Sequence, residues 1–135
     1  MKKRVLCYGD SNTWGFNAMN ENVYGQRFPE EVRWTGRLQT LLGENWTVIE
    51  EGLCGRTTVF EDPLREGLNG LQYLGPCLAT HNPIDYLILM LGTNDCKTYN
   101  HASADRIGKG IEKLIQQIRN CLLYTSPSPR DGATS

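Results

Sequence analysis

The sequence predicts an α/β fold built on a parallel sheet, and three observations support this. Short apolar runs occur at residues 4–8, 46–50 and 84–91, without the alternation of a half-exposed strand. Segments with helical periodicity separate these runs. The resulting order, strand and helix in alternation three times, requires crossover connections and therefore parallel strands.

The strands are recognised by their apolar residues and by the glycines that end two of them. Residues 4–8 (RVLCY) are followed by Gly9, and residues 84–91 (IDYLILML) by Gly92. Residues 46–50 (WTVIE) form the second strand. Continuous runs of this kind are typical of parallel strands that helices cover on both faces.

The helices are predicted from apolar residues three or four positions apart. The first helix ends at Gly43, which is a suitable stop. Its apolar positions are Trp34, Leu38, Leu41 and Leu42. Residues 63–80 are predicted to be helical only in part, because four helix breakers interrupt them. These are Gly67, Gly70, Gly75 and Pro76. Residues 104–122 carry a long apolar stripe, and Ser103 can cap their start.

The predicted domain covers residues 1–122, with a long loop at residues 17–32 beside the first strand. Residues 123–135 are predicted to be a disordered or non-native tail, since TSPSPRDGATS has two prolines and no large aliphatic residue. Three strands make a small sheet for a doubly wound domain. We therefore expect residues 1–122 to be the N-terminal part of a larger domain.

The composition indicates which classes of binding partner and which cellular compartment to expect. A net charge of −1 and the lack of a basic stripe argue against nucleic acid and anionic membranes. The longest apolar run, residues 86–91, is too short to span a bilayer, and the segment after Met1 is too short for a signal peptide. Five cysteines without a C-x-x-C pair suggest thiols in a reducing compartment. A cytoplasmic location is therefore predicted.

The residues that follow the strands suggest acyl chemistry. Ser11, Gly55 and Asn94 follow the first, second and third strands, and such positions meet at one edge of a parallel sheet. A serine hydroxyl can attack an ester carbonyl, while a backbone amide and an asparagine amide can hold the oxyanion. Each residue also has an ordinary structural interpretation: a helix cap, a loop glycine and an Asx-turn.

Neighbouring side chains are further candidates. Trp14 and Phe16 either line an apolar acyl pocket or pack the loop that follows them. Arg56 and Arg65 can contact substrate, but a solvated surface position is the expectation for both. Two nearby cysteines are expected to be small packing residues. They are Cys54 and Cys96.

Three ordered motifs resemble the first three sequence blocks of the SGNH, or GDSL-type, hydrolases. They are G-D-S-N-T-W-G at 9–15, E-E-G-L-C-G-R-T-T at 50–58 and I-L-M-L-G-T-N-D at 88–95. The resemblance covers residues 2 to about 118 and is closest to a bacterial arylesterase/acyltransferase branch. It implies a flavodoxin-like three-layer α/β/α fold and a serine esterase that can also transfer acyl groups to alcohols.

The same resemblance assigns the site. It implies that Ser11 is the nucleophile and that the amides of Ser11 and Gly55, with the Asn94 side chain, form the oxyanion hole. Independently of the resemblance, Trp14 is the candidate for substrate binding, because small-molecule sites are mostly apolar and aromatic. The implied partner is a small-molecule ester, no metal or organic cofactor is required, and the complete protein can form a homo-oligomer.

The catalytic base is missing from the sequence. The family places an Asp-x-x-His pair near its C-terminus, whereas Asp131 is followed by Gly-Ala-Thr. His81 is expected in a surface loop at the opposite end of the sheet, and His101 is the only candidate base on the correct side. A serine without a base is a poor nucleophile. The chain is therefore expected to be an inactive or weak fragment, with its third strand exposed as an aggregation-prone edge.

A second interpretation uses Asp10 and Asp95, which follow two strands that are expected to be neighbours. Two carboxylates there can hold magnesium, as in metal-dependent phosphoryl-transfer or signalling α/β domains. The simpler expectation is that each aspartate stabilises its own turn.

Overall fold

The structure is a computed structural model that describes residues 1–19, 26–97 and 100–125, with side chains described to residue 121. Its elements follow the predicted alternation. They are β1 Lys3–Gly9, α1 Ser11–Trp14, α2 Trp34–Leu42, β2 Trp46–Gly52, α3 Gly70–His81, β3 Tyr86–Met90, a 3-10 turn Asn94–Cys96 and α4 Ala104–Thr125. None of the described helices combines the length and the apolar character that a membrane-spanning segment requires.

The sheet has the order β2-β1-β3, and both pairings are parallel. Gly9 at the end of β1 is in register with Gly52 of β2 and with Met90 of β3. The predicted parallel sheet is therefore confirmed. The register also brings the segments that follow all three strands to the same edge of the sheet.

Helices cover both faces of this sheet. Tyr8 is fully buried on one face, where its hydroxyl donates to the Gly70 carbonyl at the start of α3 (2.6 Å). On the other face Glu50 accepts a hydrogen bond from Thr35 of α2. The main core lies between the sheet, α3 and α4. It consists of Leu6, Tyr8, Leu74, Cys77, Leu78 and Leu114. The predicted α/β/α layering is confirmed.

Helix α3 is more regular than the sequence suggested. It runs without a break through Gly75 and Pro76, so the expectation of interruption at these positions was wrong. Asn69 caps it, accepting from the Leu71 amide (3.0 Å). Packing of its buried face, which includes Leu74 and Leu78, outweighs the hydrogen bond that a proline removes.

Helix α4 begins as predicted, with the Ser103 hydroxyl accepting from the Arg106 amide (3.2 Å). It is described as far as Thr125, and the predicted division between a domain at residues 1–122 and a tail at residues 123–135 stays a prediction. Residues 126–135 lie outside the described part of the chain.

The predicted loop at residues 17–32 contains no helix or strand where it is described, at residues 17–19 and 26–32. It is held to α1 by an isolated bridge between Phe16 and Arg27 and by the Phe28 amide, which donates to the Gly15 carbonyl (2.7 Å). The loop therefore returns to the segment that follows Ser11. Residues 20–25 lie outside the described residues.

Candidate active site

The residues proposed from the sequence line a single open cleft of about 470 Å³ at the carboxyl edge of the sheet. Ser11, Trp14, Gly55 and Asn94 all contribute to its wall. The other lining residues are Phe16, Leu53, Cys54, Arg65 and Lys97. The structure thus brings one hydroxyl, one glycine of the loop after β2 and one side-chain amide to the same cavity.

Ser11 is the first residue of α1, and the cap of this helix is Asp10. The Asp10 carboxylate accepts from the Asn12 amide (3.0 Å), and its carbonyl accepts from the Trp14 amide (2.9 Å). The interpretation of Ser11 as a helix cap is therefore wrong. The neighbouring aspartate caps the helix, and Ser11, which is half-buried, lines the cleft.

The position of α1 depends on Gly52 at the end of β2. A Cβ added to Gly52 would lie 2.3 Å from the Trp14 nitrogen and 2.7 Å from the Thr13 carbonyl carbon. Both atoms are backbone and cannot move aside without moving the helix. The absence of a side chain at Gly52 thus allows the turn that carries Ser11 to pack directly on β2.

Asp10 is almost completely buried beside the nucleophile turn. Burial raises the pKa of its carboxyl above the ordinary value, and the Asn12 amide and the Arg56 guanidinium only partly oppose this rise. The folded chain therefore binds this proton more tightly than the unfolded chain does. Asp10 favours the folded state most at low pH, below 3.8, its value in the unfolded chain.

We expect Asp10→Asn to change how stability depends on pH. The contribution of Asp10 is lost as the pH rises through its folded pKa, whereas asparagine caps the helix without carrying a charge. The free energy of unfolding of Asp10→Asn, minus that of the unaltered chain, should therefore increase from acid to neutral pH. Urea denaturation of both chains across that range measures the difference. A difference that stays constant with pH would contradict the assignment.

Gly55 has a backbone conformation that suits glycine. Its φ is 89°, in the left-handed region, and the residue is buried. An added Cβ would lie 3.0 Å from Leu68 Cδ1 and 3.1 Å from the Arg65 guanidinium. Both the dihedral angle and the surroundings therefore favour glycine where this loop borders the cleft.

Asn94 begins the 3-10 turn after β3 and reaches across to the loop after β2. Its Nδ2 donates to the Arg56 carbonyl (3.1 Å), and its own carbonyl accepts from Asn100 Nδ2 (3.2 Å). The expectation that the side chain closes its own Asx-turn was therefore wrong. Since a side-chain amide carries two N–H donors, this contact fixes Asn94 and leaves one donor for a ligand in the cleft.

The position that was predicted for Arg56 from the sequence is wrong. Arg56 was expected at a solvated surface, but it is only 2% exposed. Its Nη1 donates to the carbonyls of Gly9 (3.1 Å) and Glu51 (2.6 Å). The guanidinium lies 4.3 Å from the centre of the Tyr8 ring and 5.2 Å from that of Tyr73. These contacts replace part of the hydration of the guanidinium, while its buried Nε has no hydrogen-bond partner among the described residues.

Arg56 connects the three loops of the cleft. It follows Gly55, its side chain binds the Gly9 carbonyl just before Asp10 and Ser11, and its carbonyl receives Asn94. Nothing in the motif G-R-T-T signals this burial, because every partner is distant in sequence or lies on the backbone. Arg65, by contrast, is exposed as expected.

Aromatic and cationic groups complete the cleft. Trp14 lies under the Arg27 guanidinium, 4.6 Å from its ring centre, while Phe16 is largely exposed at the rim. Burial raises the pKa of the half-buried Cys54, which argues against a reactive thiolate. Cys96 is exposed, so its assignment as a packing residue was wrong.

Asp10 and Asp95 are engaged separately. Asp95 is fully buried and accepts from the amide of Thr58 (2.9 Å) and from its hydroxyl. It therefore stabilises the loop after β2 rather than only its own turn. Asp10 caps α1. No contact in the described residues joins the two carboxylates, and nothing favours the magnesium interpretation.

Neither histidine lines the described cleft. His81 was expected in a surface loop, but it is the last residue of α3, and its Nε2 lies 2.6 Å from Glu51 Oε2. This correction follows from Glu51, whose side chain points to the face that α3 covers. His101, the candidate base, is exposed in the segment before α4. The base remains unassigned.

A parallel α/β domain with a hydroxyl and two kinds of amide donor at its carboxyl edge has the construction of a serine hydrolase. The chain belongs to the GDSL-like Lipase/Acylhydrolase family, whose model matches residues 7–134. The resemblance seen in the three sequence motifs is therefore confirmed.

Solved structures agree with this family. Est24, a carbohydrate acetylesterase from Sinorhizobium meliloti, is 47% identical with a TM-score of 0.86, over 89% of this chain and 56% of Est24. The native aryl esterase of M. smegmatis is 49% identical with a TM-score of 0.82, over 85% of this chain and 54% of the esterase. The chain thus spans about half the length of these relatives. Comparison with curated proteins gives no significant match.

Proposed function

We propose that the protein containing this chain is a serine esterase that cleaves small or aryl carboxylic esters. The observation that carries this proposal is the convergence of Ser11, Gly55 and Asn94 on one cleft. Its volume of about 470 Å³ lies in the range of small-molecule sites. The two relatives are named for carbohydrate acetyl esters and aryl esters, which supports a small acyl group and a cyclic alcohol part.

In the proposed reaction Ser11 Oγ attacks the ester carbonyl and gives its proton to a base. The carbonyl oxygen becomes an oxyanion that accepts hydrogen bonds from the amides of Ser11 and Gly55 and from Asn94 Nδ2. Collapse of this intermediate expels the alcohol and leaves an acyl-serine. Water then releases the acid, or a second alcohol takes the acyl group. No step requires a metal or an organic cofactor.

By itself the chain should turn over esters weakly or not at all. It contains no Asp-x-x-His sequence, and neither of its two histidines lines the described cleft. Without a base only the oxyanion hole and substrate binding can contribute. We also propose, from the cysteine pattern and the family resemblance, that the complete protein is cytoplasmic and can form a homo-oligomer.

Chemical rescue tests this proposal with the chain as it exists. The chain and Ser11→Ala are incubated with p-nitrophenyl acetate, with and without imidazole as an external base. Without imidazole the two should release p-nitrophenol at indistinguishable rates. With imidazole only the unaltered chain should gain an acetyl group at position 11, detected by intact-protein and peptide mass spectrometry.

The readout separates the two parts of the proposal. Equal acetylation of both chains in imidazole would contradict the role of Ser11. Rapid turnover without imidazole, abolished by Ser11→Ala, would instead support the nucleophile and contradict the expectation that this chain lacks a working base.

A further inference from the structure

Three side chains of different chemistry meet beneath the sheet, on the face covered by α3. Glu51 is near the end of β2, and Cys77 and His81 are one turn apart on α3. One carboxylate oxygen, the thiol sulfur and one ring nitrogen all lie within 4.8 Å of one another. The pair His81 Nε2 and Glu51 Oε2 is 2.6 Å apart. The esterase proposal uses none of these groups.

We propose that Glu51, Cys77 and His81 form a zinc-binding site. Carboxylate, thiolate and imidazole are the ligands that Zn²⁺ takes in proteins, at about 2.0–2.3 Å. In a tetrahedral site such ligands are about 3.3–3.7 Å apart. The histidine and carboxylate therefore have to separate slightly, and the thiol has to approach. The spacing of Cys77 and His81 places both on one face of the helix.

The surroundings give the cluster an entrance and a rigid support. Cys77 is fully buried, whereas the side chains of Glu51 and His81 are 18% and 23% exposed, so an ion can enter from their side. Tyr73 donates its hydroxyl to Glu51 Oε2 (3.4 Å). The His81 carbonyl accepts from the Arg4 side chain (3.1 Å). Such outer contacts orient metal ligands.

Charge also favours a divalent ion over a monovalent one. On binding, the Cys77 thiol loses its proton to solvent, and the resulting thiolate and the Glu51 carboxylate together neutralise Zn²⁺, which leaves the fourth coordination position for water. The bound ion would join β2 to α3 directly. Because the Glu51 carbonyl also receives Arg56 Nη1 (2.6 Å), the site is next to the loop that carries Gly55. Its existence does not depend on esterase activity.

Cobalt titration tests the site, because Co²⁺ substitutes for Zn²⁺ and a cobalt–thiolate bond absorbs in the near ultraviolet. The metal-free chain is titrated with Co²⁺ under reducing conditions and then with Zn²⁺. We expect the charge-transfer absorption to saturate at one Co²⁺ per chain and to disappear when Zn²⁺ displaces it. Zn²⁺ should also raise the melting temperature, since it binds the folded state.

Variants locate the ligands. Cys77→Ser should abolish the charge-transfer absorption, and the matched variant Cys96→Ser, at an exposed cysteine, should keep it. His81→Gln, at a half-exposed position that tolerates substitution better, should weaken cobalt binding by at least about tenfold. Circular dichroism verifies that each variant is folded.

Two results would overturn the proposal. One is the absence of charge-transfer absorption in the unaltered chain, which needs no variant to interpret. The other is absorption that survives in Cys77→Ser or binding that is unchanged in His81→Gln, because the metal would then be held by other residues.

Discussion

Asn94→Ala is expected to slow the imidazole-supported acetylation of Ser11 by about 10²–10³-fold, the cost of removing one donor from an oxyanion hole. The Asn94 side chain is fixed by its bond to the Arg56 carbonyl and lines the cleft, so its second N–H is the donor that we propose for the oxyanion. Alanine removes that donor without adding bulk. Rates are obtained from the growth of the acetylated species in intact-protein mass spectra.

A matched control is available on α4. Asn120 is exposed and outside the cleft, so Asn120→Ala should acetylate at the rate of the unaltered chain. If Asn94→Ala and Asn120→Ala react equally fast, Asn94 does not stabilise the oxyanion. The comparison does not depend on the identity of the natural ester.

Arg56→Ala should lower the free energy of unfolding by about 3–4 kcal/mol, because it removes two charge-assisted hydrogen bonds and a cation that contacts two aromatic rings. The carbonyls of Gly9 and Glu51 lose their Nη1 partner, and the rings of Tyr8 and Tyr73 lose the cation next to them. Urea denaturation with a linear extrapolation measures the change.

Two further variants make this result specific. Arg119→Ala removes an exposed arginine and should change stability by no more than about 0.5 kcal/mol. Arg56→Lys keeps the charge but lacks the planar guanidinium, so its loss of stability should lie between those of Arg56→Ala and Arg119→Ala. A loss for Arg56→Ala no larger than that for Arg119→Ala would show that the buried guanidinium contributes little.

The sheet was predictable because a parallel strand that is covered on both faces can be recognised from the apolar residues of its own short segment. Continuous apolar runs ending in glycine marked β1 and β3, and the alternation with helices required parallel pairing. Helix α3 shows the limit of this reasoning. Pro76 reduces local helix propensity, but the burial of Leu74 and Leu78 against the sheet decides the outcome, and sequence periodicity alone does not reveal that.

The grouping of the candidate site followed from topology, since segments after parallel strands share an edge. The positions of Arg56 and His81 did not. Arg56 is buried by backbone carbonyls and aromatic rings, and His81 is drawn inward by Glu51, thirty positions earlier. Polar partners that are distant in sequence leave no recognisable pattern near the residue itself. A prediction from sequence therefore places charged residues at the surface.

The persistence of the cleft depends on β1, which is the central strand of the sheet. Both neighbouring strands hydrogen-bond to β1, and the segments bearing Gly55 and Asn94 continue from those neighbours. A fluctuation that separates β3 from β1 would remove Asn94 from the cleft and leave Ser11 beside Gly55. Opening of β1 would separate Ser11, Gly55 and Asn94 at once, so the lifetime of the assembled cleft depends on how long β1 stays paired with both neighbouring strands.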